Sequence, residues 1–89
     1  MIAQRGSRVL SRRSSGKVMV LALDGGDPAV LEGLPAAIWN VLETPVPTDE
    51  LAEDVSAALE IPILQAEETV AKLLDELIRL GVVTCRPAK

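Results

Sequence analysis

The chain has 89 residues, no His, Phe or Tyr, one Trp and one Cys, and a net charge of −4. That length makes one domain with a modest core. With no His and a single Cys, a disulfide within the chain, His-based acid–base catalysis and His/Cys metal sites are excluded. The carboxylates match no calcium loop, so the reading is of a chain with no catalytic residues, no metal and no cofactor. No apolar run approaches the ~20 residues of a membrane span, and the basic N-terminus lacks the apolar core of a secretory signal. A cytoplasmic protein without a membrane partner is expected. The charge is unevenly spread: residues 1–17 hold five of the nine bases and no acid, whereas all thirteen acids follow. An acidic body repels nucleic-acid phosphates.

In chain order, residues 1–7 read as a disordered basic arm. Residues 8–13 suit a first strand turned by Ser14-Ser15-Gly16, and Lys17-Val18-Met19-Val20-Leu21-Ala22-Leu23 is a β-branched and aliphatic run typical of a strand. The cluster Asp24-Gly25-Gly26-Asp27-Pro28 reads as a turn into a short third strand, Ala29-Val30-Leu31-Glu32, which Gly33 ends. Such tight connections favour an antiparallel meander.

Beyond Gly33 the apolar period becomes helical. Pro35 suits a first helical turn, and Leu34, Ile38, Val41 and Leu42 share a face, with Trp39 beside them as a core pivot. Thr48, followed by Asp49 and Glu50, reads as the N-cap of a second helix that turns Leu51, Val55, Ala58 and Leu59 inward. A third helix over residues 65–80 carries the core stripe Ala66, Val70, Leu73, Leu77 and Leu80 and ends at Gly81, followed by an extended Val82-Val83-Thr84. The expected fold is α+β: a three-stranded antiparallel β-meander followed by a three-helix bundle, winged helix-turn-helix-like.

The order and spacing of these pieces resemble a known family. The meander ends in Val30-Leu31-Glu32-Gly33, Ala37-Ile38-Trp39-Asn40-Val41-Leu42 follows, then Thr48-Asp49-Glu50-Leu51, and the chain closes on Leu73-Leu74-Asp75-Glu76-Leu77-Ile78-Arg79-Leu80-Gly81-Val82-Val83. This is similar to the PqqD-like family, the recognition elements of pathways that make ribosomally synthesised, post-translationally modified peptides. The resemblance covers residues 8–84 and leaves 85–89 as a tail. It implies a non-catalytic module that binds the leader segment of a precursor peptide, added as a strand to the edge of the third strand, in a groove bounded by the third helix. The bound leader is presented to a separate modifying enzyme or leader peptidase. Standalone elements of the family serve the pyrroloquinoline quinone pathway and lasso-peptide pathways, and an element with no enzyme fused to it leans towards the lasso kind.

On that implication the peptide-binding set is Pro28, Ala29, Val30, Leu31 and Glu32 from the strand, with Val70, Ala71, Leu74 and Ile78 from the helix. Glu67 and Asp75 are rim charges for a leader Lys or Arg; Arg12, Arg13 and Lys17 answer leader acids. From the residues alone two readings of the helix stand. Ala71, Leu74 and Ile78 widen its apolar arc beyond one buried stripe, through deeper burial or as a groove wall. The strand edge is equally open to self-association, or to being a plain sheet edge. Competing functions are a winged-helix DNA binder and a protein-interaction regulatory domain. Against the first, the last helix carries Glu67, Glu68, Asp75 and Glu76 but only Lys72 and Arg79.

Overall fold

The computed structural model describes residues 1–87. Nine elements follow one another: β1 (Ile2–Arg5), β2 (Val9–Ser14), β3 (Lys17–Ala22), β4 (Ala29–Leu31), α1 (Leu34–Val41), β5 (Val46–Pro47), α2 (Thr48–Leu59), α3 (Ile63–Arg79) and β6 (Val83–Arg86). They form three helices and two three-stranded antiparallel sheets, ordered β5-β1-β6 and β2-β3-β4. No helix among the described residues is long and apolar enough to cross a membrane.

The expected meander is the second of these sheets. Ser14 pairs with Lys17, so Ser15 and Gly16 form a two-residue turn, and both adopt positive φ, 52° and 77°. This turn matches the right-handed twist of its flanking strands. The alternation then sorts side chains by face. Val18, Val20, Ala22 and Leu31 turn inward and are buried, while Leu10, Met19 and Val30 stay exposed on the other side.

The other sheet corrects the reading of the N-terminus as a disordered arm. β1 is its middle strand, with Ala3 opposite both Val46 and Cys85. Ala3 is fully buried, and the Met1 carbonyl accepts a hydrogen bond from the Thr48 amide at 2.9 Å. Arg5 is an anchor rather than a solvated charge. Its Nε and Nη2 donate to the Trp39 carbonyl at 3.1 and 2.8 Å, and its guanidinium lies 4.3 Å from the centre of the Trp39 ring. Burial lowers the Arg5 pKa, opposed by the Glu43 carboxylate and assisted by Arg13. Trp39 is 2 % exposed, the core pivot expected of it.

Residues 85–89 were expected to form a tail, but Cys85 and Arg86 belong to β6; Ala88 and Lys89 lie outside the described residues. Burial pushes the Cys85 thiol pKa up, the N-terminal ammonium pulling the other way, so the thiol stays protonated at neutral pH.

The helices also depart from expectation in detail. Pro47, not Thr48, is the N-cap of α2, and α3 starts at Ile63, with Pro62 as its cap and no side-chain capping bond. The inner face of α2 is Leu51, Ala52 and Val55, whereas Ala58 and Leu59 are exposed. Val41 of α1 is likewise exposed, and Ala36 joins Ile38, Trp39 and Leu42 in the core. The end of α3 matches the expectation. Gly81 at φ 77° lets its amide reach the Ile78 carbonyl at 2.9 Å and the Val82 amide reach Leu77 at 3.1 Å. This closes the helix with a Schellman motif and sends the chain back as β6.

Candidate functional site

Among the described residues β4 pairs with β3 alone. Its other edge therefore carries backbone N–H and C=O groups without a ladder partner, the usual template for adding a strand. Beside that edge lies a hollow of about 370 Å³ lined by Ala29, Val30, Leu31, Glu32, Pro35, Glu76, Leu77 and Leu80. Leu31 and Leu77 are its buried floor, at 5 % and 2 % exposure. Two carboxylates stand in its lining, and among the described residues no cation does. Glu32 makes an exposed ion pair with Lys17 at 3.5 Å. Glu76 has no cationic partner within 4.0 Å among the described residues, although Lys72 is one turn earlier on the same helix.

The structure divides the sequence-derived site set. Ala29, Val30, Leu31 and Glu32 sit together on the open edge, whereas Pro28 borders a shallow depression on the outer sheet face with Leu10, Arg12 and Met19. The helical residues lie elsewhere. Val70, Ala71, Leu74, Asp75 and Ile78 border a different hollow, of about 290 Å³, with Met1, Thr48 and Cys85. The physical reason is the helical period. At 100° per residue Glu76 and Leu80 fall to one side of Leu77, while Ala71, Leu74 and Ile78 fall to the other. The flank expected to wall the β4 groove is thus the flank away from it. Glu67 is exposed on that same far flank, and Asp75 pairs with Arg79 at 3.0 Å.

Leu74 is core, 5 % exposed, which settles the wide arc as deeper burial at that position. Leu74→Glu is expected to lose about 3–5 kcal/mol, from the lost burial and a carboxylate forced into an apolar site. Urea unfolding checks this; a loss below 1 kcal/mol would show the side chain to be free.

Pro35, Glu76, Leu77 and Leu80 are lining residues that the sequence set lacks. Leu77 and Leu80 were visible only as members of the core stripe. No sequence signal separates a stripe residue under the sheet from one beside its edge.

Another hollow, about 400 Å³, lies where the turn at Gly6, Ser7 and Arg8 meets Asp24, Gly25 and Gly26. Its two cations are already paired, Arg8 with Asp24 at 2.9 Å and Arg79 with Asp75 at 3.0 Å. No cluster of three or more His, Cys, Asp or Glu able to hold a metal ion occurs among the described residues.

An open strand edge beside a helix-walled hollow offers backbone hydrogen-bonding groups and side-chain space to an extended chain. The family model of coenzyme PQQ synthesis protein D (PqqD) matches residues 17–83, well over half the chain, and the protein belongs to this family. The fold is similar to that of a solved structure, TbiB1 in complex with the TbiA(beta) leader peptide. The TM-score is 0.81 at 19 % identity, covering 94 % of this chain and 98 % of that one. No curated protein matches in sequence.

Proposed function

We propose that this PqqD-family protein binds the leader segment of a precursor peptide by adding it as a strand to the open edge of β4. It then presents that peptide to a separate modifying enzyme or leader peptidase and catalyses nothing itself. The observation that carries this reading is the coincidence of an unpaired edge with the hollow between β4 and α3. Backbone hydrogen bonds supply affinity in such an arrangement, and pockets for alternate side chains supply specificity. That TbiB1 was solved with a leader peptide supports the same use of a shared fold.

The groove residues in this reading are Ala29, Val30, Leu31 and Glu32 facing Pro35, Glu76, Leu77 and Leu80. Among pathways of ribosomally made, modified peptides, the family resemblance leaves pyrroloquinoline quinone and lasso-peptide routes open, and we favour the second. Self-association through the β4 edge would compete with the leader.

We read α2, α3 and the β2–β3 hairpin as winged helix-turn-helix-like, but not as a DNA binder. Four acids on α3 face any phosphate that approaches it. The test is titration with synthetic leader peptides encoded beside the gene, followed through Trp39 fluorescence or amide shifts. Saturable binding is expected, and failure of every such leader would sink the reading.

A further inference from the structure

An added strand presents alternate side chains to the groove, about 6.6–6.8 Å apart. On α3, Leu80 and Glu76 are one turn apart, about 6 Å along the axis. For a strand laid along α3 the two repeats nearly match, so that consecutive inward side chains would meet different turns of the helix. In that arrangement one would drop among the apolar side chains Leu31, Leu77, Leu80 and Pro35. The next would meet Glu76, whose carboxylate has no cation within 4.0 Å among the described residues. Glu32 adds a second negative charge to the lining, its one ion pair being a long contact to the exposed Lys17.

Resting on the β4-addition reading, we propose that the groove selects a cationic segment. It takes an aliphatic residue and, two positions away along the same strand face, a Lys or Arg held against Glu76. Charge complementarity carries the choice of occupant. Among the described residues the lining holds two carboxylates and no base, and the net charge of −4 draws a cationic strand towards it. An Asp or Glu at that position would be repelled by both. Glu67 and Asp75, expected from the sequence as rim charges, do not contribute, because they lie on the far flank of α3.

A displayed library of random decapeptides, selected separately on the intact chain and on Glu76→Lys, tests this, with amide shifts showing where selected peptides sit. Wild-type binders are expected to shift Ala29–Glu32 and to carry Lys or Arg two residues from an aliphatic side chain. On Glu76→Lys that position should turn to Asp or Glu. Wild-type-selected peptides should bind Glu76→Lys about tenfold more weakly and Glu76→Gln about threefold more weakly, the scale of exposed charge pairs. Glu76→Gln also serves if the lysine variant does not fold. Peptides that occupy β4 without cation enrichment, or that bind the variants as tightly, overturn the charge selection and leave strand addition standing. Selected peptides that shift no residue of β4 overturn both.

Discussion

Deleting residues 1–5 is expected to unfold the domain. β1 is the central strand of β5-β1-β6, so its removal frees two edges at once and strips the cover from Val83, 1 % exposed in the intact chain. It also removes the two hydrogen bonds from Arg5 to the Trp39 carbonyl and the cation over that ring. A hydrogen bond to a charged group contributes about 1.5–3 kcal/mol, and the buried Ala3 and the ladder bonds add to it. A total of about 5 kcal/mol reaches the lower end of the stability of a small domain. Circular dichroism of the truncated chain is expected to show no cooperative thermal transition. For a domain this size each kcal/mol moves the Tm by about 4–8 °C, so a cooperative transition within 10 °C of the intact protein would refute the anchoring role of β1.

The second large effect lies on the ligand side. In an added strand, successive residues turn their amides alternately towards β4 and towards solvent. Methylating a leader backbone nitrogen that faces β4 removes a hydrogen bond and inserts a bulky group between the strands. At least about 1.4 kcal/mol, a tenfold rise in Kd, is expected at such positions. At the intervening positions the methyl meets solvent and little changes. A scan along the leader should thus alternate with period two over the three or so residues that β4 spans. A flat scan, or one with a helical period, would mean the peptide is not held as a strand.

The elements that carry their own periodicity were legible in the sequence: β3 as an aliphatic run, α3 as a long apolar stripe, Gly81 as its stop, Trp39 as core. Two features were not. β1 is four residues long, and one of its two apolar side chains is the methyl of Ala3. Its strand character is imposed by β5 and β6 rather than declared locally, and a short basic stretch without that context looks like a tail. The second is which flank of α3 meets β4. Leu74 and Leu80 are equally apolar and lie on opposite sides of Leu77. Only the docking of the sheet buries one and leaves the other beside the edge. The strand half of the proposed site was therefore readable as a terminal β-segment, whereas its proposed helical half, Glu76, Leu77 and Leu80, needed tertiary structure.

Strand addition at β4 is tested most directly by mapping amide shifts on the intact protein during titration with a leader peptide. The largest shifts are expected at Ala29, Val30, Leu31 and Glu32, with a second group at Glu76, Leu77 and Leu80. Shifts centred instead on Ala71, Leu74, Ile78 and Cys85, with β4 unmoved, would contradict the account and place the peptide in the hollow on the far side of α3.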